Sequence, residues 1–187
     1  MVSDSDTVAY SHFNLSLVPV RSAANLLEVH PTSAKSRTPV LIRVTDADAL
    51  DYENPDRREI VALVVAHGSA GLSSTATVTI MLYDVNDNKP QFQWPSYRYT
   101  VAENSAPGSL ITRLDAVDLD SGDLGRLRYD VHGFGADRFA VNETTGDLHV
   151  GFCGLKTCLD YEEQDSYTLT YTATDGGGSR FRSSLSI

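Results

Sequence analysis

The chain has 187 residues, 41% of them apolar, and its 25 Asp and Glu outnumber 15 Lys and Arg, which gives a formal net charge of -10. This length allows one large domain or two of about 100 residues, and the apolar content is enough for packed cores. The acidic balance disfavours nucleic acid and anionic membrane surfaces as partners, because phosphates would be repelled. No run approaches the roughly 20 apolar residues of a membrane helix, so we expect a membrane connection only through a segment outside this sequence.

In chain order, four segments alternate apolar with polar residues and favour β-branched or aromatic side chains, which predicts short strands. They are residues 75–82, 97–101, 126–131 and 166–174. Clusters of Gly, Pro, Asn and Asp separate them, and no continuous helical stripe with a credible cap occurs. Short antiparallel strands at this spacing predict an all-β fold built from β-sandwiches.

The tetrapeptide LDYE occurs twice, at residues 50–53 and 159–162. Each copy follows a strand, a turn and a strand, and each precedes a long alternating strand. This internal repeat indicates two copies of one sandwich, with a first domain over residues 1–88 and a second over residues 89–187. The joint between them would be the segment DVNDNKP.

This joint places four oxygen-bearing side chains within five residues, namely Asp84, Asn86, Asp87 and Asn88. A hard cation such as calcium takes about six to eight oxygen ligands from carboxylates, amides and backbone carbonyls. An extended segment offers them on both sides, because successive side chains point in opposite directions. Pro90 cannot extend a strand ladder, which suits a connector. Taken alone, the segment is explained equally well by a solvated acidic turn.

Other motifs accompany it, and together they resemble the cadherin family, whose extracellular repeats end in D-x-N-D-N-x-P-x-F, as residues 84–92 do. The family also carries D-[YR]-E, x-E-x, D-x-D and A-x-D-G, here at residues 51–53 and 160–162, 102–104, 118–120 and 173–176. The resemblance covers nearly the whole chain. It implies two tandem Greek-key β-sandwiches of cadherin-like, immunoglobulin-like architecture, joined by a calcium-binding linker, in a long non-classical or protocadherin-like protein. It also implies an extracellular location, in the ectodomain of a single-pass plasma-membrane protein.

The resemblance further implies up to three calcium ions at the joint. The two upper ions would be bound by Asp51, Glu53, Asp84, Asp87 and the carbonyl of Val85. The lower ion would be bound by Asn86, Asn88, Asp118, Asp120, Asp175 and a backbone carbonyl at Leu124. Carboxylates crowded in this way repel one another without a cation, which accounts for their concentration at a proposed metal site.

Three departures from the family pattern affect these expectations. The first repeat has no x-E-x, and we expect its leading strand to be missing or atypical before residues 4–6, so the upper ions should bind more weakly or use a replacement ligand. His67 stands where the family places the Asp of A-x-D-G, so we expect a calcium-poor preceding joint. An incomplete second site, expected to be empty or weakly occupied in this fragment, is offered by Glu103, Asp160 and Glu162.

Two further features favour a secreted setting. Cys153 and Cys158 are the two cysteines of the chain and are close enough to close a small loop. A structural zinc would need about four ligands, and no histidines cluster here, so the pair favours a disulfide. Asn14 and Asn142 begin N-x-[ST] glycosylation sequences, which occur often enough by chance to support secretion only weakly.

The resemblance implies calcium-dependent adhesion, or a structural ectodomain segment, in which calcium rigidifies the joint. The expected partners are neighbouring cadherin repeats and another cadherin or protein ligand on a facing cell. The alternative is a cell-surface receptor segment that captures a protein ligand, such as a toxin or a heterophilic cadherin partner, by an exposed strand edge or loop. An enzyme, with catalytic residues, is not expected, because the carboxylates concentrate at a joint instead of flanking a cleft.

Overall fold

The structure is a computed structural model, and it describes residues 12–21, 24–35, 37–154, 158–177 and 182–186. The chain divides into two compact units, Met1–Asp84 and Val85–Ile187. In the described ranges the regular structure consists of strands and one-turn 3-10 helices, so the predicted all-β fold is confirmed. No helix among these residues is long and apolar enough to cross a membrane. Residues 4–6, before which a leading strand is predicted to be missing, lie outside the described ranges.

The first unit contains six strands in its described part. They are β1 (His12–Arg21), β2 (Leu27–His30), β3 (Ser33–Lys35), β4 (Leu41–Val44), β5 (Glu59–Gly68) and β6 (Ser73–Met81). One antiparallel sheet has the order β3-β1-β5-β6, and a second pairs β2 with β4. One-turn helices lie at Ala24–Leu26, Pro55–Arg57 and Ser69–Gly71.

Alternation along the strands explains the core of this unit. Every second side chain of a strand faces the same side, and Phe13 and Leu15 of β1 and Val64 of β5 are therefore buried together. Val29 of β2 joins the same cluster from the other sheet, so the two sheets share one core as in a sandwich. Burying each large aliphatic or aromatic side chain contributes about 1.5 to 3 kcal/mol.

The second unit contains eight strands in its described part. They are β7 (Gln91–Phe92), β8 (Leu110–Arg113), β9 (Ala116–Val117), β10 (Arg128–His132), β11 (Phe139–Val141), β12 (Asp147–Val150), β13 (Thr170–Thr174) and β14 (Arg182–Ser186). The sheet orders are β10-β13-β14, β11-β12-β8 and β7-β9. A one-turn helix lies at Ala136–Arg138.

Tyr171 lies at the centre of the core of this unit. Tyr171 is 0% exposed, and its ring centroid lies 6.0 Å from that of Phe92 and 5.9 Å from that of Tyr129. Leu114 and Leu148, from the segments of the neighbouring sheet, pack into the same cluster. Strands from two sheets therefore enclose one aromatic core.

The antiparallel pair β10 and β13 defines two ends of this unit. β10 begins after residues 118–125 and runs away from them, and β13 returns to finish just before residues 175–177. We call the end that contains these two loops the linker end. The opposite end, which we call the distal end, contains residues 133–138 and the loop 158–163, joined by a hydrogen bond from Arg138 to Glu163.

The prediction of a regular strand at residues 97–101 is wrong. Tyr97 and Val101 pack against the core clusters, which explains the apolar alternation, but the segment forms no strand ladder. The rings of Tyr97 and Tyr99 stack instead, with centroids 6.3 Å apart and planes inclined by 8°. Alternation reports which side chains face the core, whereas a ladder also needs a partner strand in register.

Candidate metal centre

Asn88 lies in the linker segment DVNDNKP and connects it to residues 118–125, the first loop of the linker end. Its Nδ2 donates to Oδ1 of Asp120 over 2.8 Å and to Oδ1 of Asp87 over 2.9 Å. Its backbone N–H also donates to Oδ1 of Asp120, at 3.3 Å. The side chain predicted to belong to the linker therefore orients a carboxylate that lies 32 positions later in the sequence.

Asp120 is held from its own loop as well. Its backbone N–H donates to Oδ1 of Asp118 over 3.0 Å. This bond closes a short turn in which the side chain of an aspartate accepts the N–H of the second residue after it. Asp120 is only 7% exposed, and its Oδ2 is buried without a hydrogen-bond partner among the described residues. One oxygen of this carboxylate is thus used for positioning, and the other is available to a ligand.

Asp175, at the end of β13, repeats this arrangement. It is 4% exposed, its Oδ1 accepts the backbone N–H of Gly177 over 2.9 Å, and its Oδ2 is buried without a partner among the described residues. The next residue, Gly176, donates its N–H to the carbonyl of Leu124 over 3.0 Å and so ties the two loops together. The Leu124 carbonyl predicted as a ligand already accepts one bond and has one lone pair left.

Asn86 completes the group. Its Oδ1 and Nδ2 are both buried without a hydrogen-bond partner among the described residues. Its side-chain amide lies against the turn at Gly177, where a methyl group on the glycine would overlap it. The structure therefore brings all six residues predicted for the lower ion to the linker end, namely Asn86, Asn88, Asp118, Asp120, Leu124 and Asp175.

These donors fit a calcium ion. A buried carboxylate oxygen that lacks a partner is costly, by about 1 to 3 kcal/mol or more for a charged group, so its retention calls for a compensating group. Asp120 and Asp175 each offer such an oxygen, and Asn86 adds a buried amide oxygen that also has no hydrogen-bond partner among the described residues. Carboxylate and amide oxygens suit calcium, whereas structural zinc prefers thiolate and imidazole ligands.

The residues predicted for the upper ions lie mostly in the first unit. Asp51 starts a tight turn in which its Oδ1 accepts the backbone N–H groups of Glu53 and Asn54, at 3.0 and 3.3 Å. One carboxylate oxygen of Glu53 and one of Asp84 lie within 4.8 Å of each other, and both residues are half-buried. In the second unit, Asp87 and Val85 are exposed, and the side chain of Asp87 accepts the Asn88 bond described above.

A second acidic cluster lies at the distal end. Asp160 forms the same turn as Asp51, since its Oδ1 accepts the N–H groups of Glu162 and Glu163, each at 3.1 Å. Glu103 accepts the N–H of Tyr161 over 2.8 Å. The carboxylates of Glu103, Asp160 and Glu162 lie within 4.8 Å of one another, and all three residues are exposed. Solvation explains this cluster without a metal, so its role as a second site stays a prediction.

The loop that carries Asp160 is tied down by two features. Cys153 and Cys158 form a disulfide. Arg138 donates to the carbonyl of Cys158 over 2.8 Å and to the carboxylate of Glu163 over 3.2 Å. The bond to Glu163 raises the pKa of Arg138. Sequence reasoning missed Arg138, because an isolated arginine carries no signal of the loop that it will contact.

The two predicted glycosylation residues differ in their settings. Asn14 is an exposed residue of β1, paired with Ser33 of β3 and His67 of β5. Asn142 is exposed in a turn, and its Oδ1 accepts the N–H groups of Thr144 and Thr145 at 3.0 and 3.1 Å. Both side chains are therefore accessible, and their modification stays a prediction.

His67 lies at the end of β5, exposed to solvent. Its Nε2 lies 3.4 Å from Oγ of Ser16 on β1. In the second unit, by contrast, the strand that corresponds to β5 is β13, and the residue after it is Asp175, whose carboxylate is buried. The first unit thus carries an imidazole where the second carries a carboxylate.

The clearest carboxylate pKa shift lies away from both acidic clusters. The guanidinium of Arg113 bonds both oxygens of Asp147, at 2.7 and 3.0 Å, and Oγ1 of Thr145 donates to the same carboxylate at 2.6 Å. The Arg113 bond first, and then the Thr145 bond, lower the pKa of Asp147 from 3.8 to about 2. This pair joins β8 to β12 and is a structural contact.

Comparisons with known proteins agree with these observations. A family model for the cadherin domain matches residues 97–186. Cadherin-87A of Drosophila melanogaster is 41% identical over 157 residues, which are 81% of this chain and 8% of that protein. Cadherin-related family member 1 of Gallus gallus is 33% identical over 178 residues, which are 95% of this chain and 20% of that protein. The chain thus spans a small part of the length of these relatives.

Solved structures give the same result for the fold. Mouse cadherin-23 EC22-24 has a TM-score of 0.80 at 29% identity, with 99% of this chain and 55% of that chain covered. Drosophila N-cadherin EC1-4 has a TM-score of 0.78 at 26% identity, with 100% of this chain and 42% of that chain covered. The predicted sandwich class is therefore confirmed.

Proposed function

Because this chain belongs to the cadherin family, we propose that its linker and the acidic loops beside it bind calcium and stiffen the joint between two tandem repeats. Cadherins are extracellular adhesion proteins and not enzymes, and the chain is a segment of that type. The observation that carries the calcium proposal is that Asp120 and Asp175 each have a buried carboxylate oxygen without a hydrogen-bond partner among the described residues. We also propose domain limits at residues 1–88 and 89–187, with the linker motif closing the first repeat.

In this proposal the lower ion is bound by Asn86, Asn88, Asp118, Asp120, Asp175 and the Leu124 carbonyl. The two upper ions are bound by Asp51, Glu53, Asp84, Asp87 and the Val85 carbonyl. Support for the first set comes from the hydrogen bonds that orient the carboxylates before any ion binds, such as Asn88 to Asp120 and Gly177 to Asp175. When bound, calcium supplies the positive charge that balances the negative charge of these carboxylates.

The expected stabilisation is modest for each site. Extracellular calcium modules have dissociation constants of about 10⁻⁴ to 10⁻³ M. At a calcium concentration tenfold above the dissociation constant, one site stabilises the folded state by about 1.4 kcal/mol. One kcal/mol shifts the melting temperature of a single domain of about 60 to 100 residues by about 4 to 8 °C. The effect of a single ion is therefore measurable.

A calcium titration of the whole chain by calorimetry, after chelation, tests the proposal. We expect two or three ions per chain, a higher melting temperature with calcium, and a change in the small-angle scattering profile when chelator is added. The variant Asp175→Asn should lose one ion or bind it at least about tenfold more weakly. Its control is Asp46→Asn, which removes the same charge from an exposed loop residue. No binding heat and an unchanged melting temperature would overturn the proposal.

For the complete protein, we propose that the partner is another cadherin chain and that the location is the cell surface, outside the plasma membrane. The cadherin and protocadherin relatives support this. Calcium-dependent clustering of beads coated with the whole ectodomain would test the partner, and clustering that persists in chelator would contradict it. After secretion of the chain from animal cells, enzymatic removal of N-glycans should lower its mass. We expect the removed glycans to have been attached to Asn14, Asn142 or both.

A further inference from the structure

Gly177 lies in the turn after β13 and contacts two of the groups assigned above to the lower ion. Its N–H donates to Oδ1 of Asp175 over 2.9 Å, and a methyl group on its Cα would overlap Nδ2 of Asn86. We infer that Gly177 is a positioning residue of the cation site: its N–H orients Asp175, and its missing side chain leaves room for the Asn86 amide. This inference rests on the proposed calcium function.

The position of the Asn86 amide is fixed by packing in the part of the chain that the structure describes. Its Oδ1 and Nδ2 are buried and without a hydrogen-bond partner among the described residues, so packing decides where they lie. The Gly177 side of the amide is occupied by Nδ2, with Oδ1 farther away, at 3.2 Å from the position of the added methyl. Because the two ends of an amide have nearly the same volume, a methyl here would displace the side chain in either orientation.

The neighbouring glycine differs in a way that makes a comparison possible. At Gly176 an added methyl would overlap the backbone carbonyl of Asp123, so the whole loop before β10 would have to move. At Gly177 the obstructing group is the end of the Asn86 side chain, which can rotate away. The effect of Gly177→Ala should therefore reach the site through one ligand, whereas Gly176→Ala should distort the backbone.

Alanine is otherwise acceptable at position 177. Gly177 is exposed, and it is not among the glycines whose φ is positive, so its backbone lies in a region open to other residues. Its N–H is kept by alanine, so the bond to Asp175 can persist. Loss of binding in this variant would therefore report on the Asn86 amide and not on general unfolding.

A double-mutant cycle in the whole chain tests the inference. Calcium titrations of the wild type, Gly177→Ala, Asn86→Ala and the double variant are compared. We expect Gly177→Ala to weaken the binding of one calcium ion by about tenfold, as for other residues that orient metal ligands. Asn86→Ala removes the proposed ligand itself and should weaken that binding at least as much. The double variant should be no weaker than Asn86→Ala, because both changes act on the same side chain.

Two measurements without calcium separate positioning from folding. In excess chelator, the melting temperature of Gly177→Ala should equal that of the wild type, whereas Gly176→Ala should melt lower. In the same chelated state, the side-chain amide signal of Asn86 in a nitrogen-proton NMR spectrum should move in Gly177→Ala. These readouts do not depend on metal loading.

The outcomes distinguish the inference from the function on which it rests. If the wild type binds no calcium, the proposed function is wrong and the inference falls with it. If the wild type binds calcium and Gly177→Ala binds it equally well, the inference alone is wrong. It is also overturned if the two effects add in the double variant, or if chelated Gly177→Ala melts as low as Gly176→Ala.

Discussion

The side-chain amide of Asn88 lies 2.8 Å from Oδ1 of Asp120 and leaves the other oxygen of that carboxylate buried without a partner among the described residues. One asparagine thus decides which oxygen of the aspartate is available to a ligand. Because the amide also bonds Asp87 at 2.9 Å, it joins two acidic residues that would repel each other without it.

Replacing Asp120 by Asn should therefore weaken calcium binding more than replacing Asn88 by Ala. Under the proposed function, the first change removes a charged ligand, whereas the second removes a neutral ligand that also orients Asp120 and should cost about tenfold in affinity. Calorimetric titration of both variants measures the difference. With chelator present, Asp120→Asn should melt at or above the wild-type temperature, because one buried negative charge is gone. Equal affinities in the two variants would contradict the assigned roles.

The contact between Arg113 and Asp147 predicts a pH dependence of stability. The pKa of Asp147 is lowered from 3.8 to about 2 in the folded chain, so the folded state binds the proton less readily than the unfolded state. The contribution is fully present above pH 3.8 and is lost as the pH falls towards 2. Thermal unfolding between pH 5 and 2, which are about the limits of this titration, should show a smaller loss for Arg113→Met than for the wild type.

The control for this experiment is Arg128→Met. Arg128 contacts Glu143 at 3.3 Å, and its side chain is 69% exposed, compared with 55% for that of Arg113. Its removal should leave the shape of the pH profile unchanged, because exposed ion pairs contribute little. Identical profiles for the wild type and Arg113→Met would show that the bidentate contact is absent in solution.

The disulfide predicts unequal effects of its two cysteines. Closing so short a loop stabilises by about 2 kcal/mol in the chain-entropy description, and either Cys→Ser change loses that amount. Cys158 is 1% exposed and packs in a core cluster, whereas Cys153 is exposed, so Cys158→Ser also loses buried apolar contacts and should cost more. Denaturant unfolding of each variant, with the remaining thiol kept reduced, measures the difference. Two free thiols in the secreted wild-type protein would contradict the bridge.

Two tyrosines of the same core should respond differently to loss of their hydroxyls. The Tyr129 hydroxyl accepts the backbone N–H of Ala116 over 3.2 Å, so Tyr129→Phe should cost about 1 kcal/mol. The Tyr171 hydroxyl is buried without a partner among the described residues, and burial raises its pKa. Tyr171→Phe should therefore leave the free energy of unfolding unchanged or raise it. A larger loss for Tyr171→Phe in denaturant unfolding would mean that this hydroxyl has a partner in solution.

The strands were predictable where alternation and pairing coincide. Residues 75–82 and 126–131 were predicted from alternation and correspond to β6 and β10, because their inward side chains meet a core and their backbones meet a neighbour. Residues 97–101 alternate equally well but have no strand ladder. A pattern of side chains contains no information on the availability of a partner backbone.

The candidate site was predictable to the extent that its geometry is local. Asp118 and Asp120 share a turn within three residues, so their motif could be recognised without knowledge of the fold. Gly177 and Arg138 were missed, because their roles depend on contacts with residues distant in the sequence. A glycine that acts by lacking a side chain offers neither a charge nor a donor group to recognise, and only the run of glycines from residue 176 marks the position.

The turn begun by Asp51 recurs at Asp160 with the same pair of hydrogen bonds. A protein lengthened by further copies of such a unit gains one set of carboxylates with every copy, so its reach and its demand for cations grow in proportion. Under the proposed function, the loss of one set would loosen a single joint and leave the calcium sites of the other joints intact. Under the same proposal, a histidine in place of a carboxylate, as at His67, would leave one joint with a smaller demand for cations than the others.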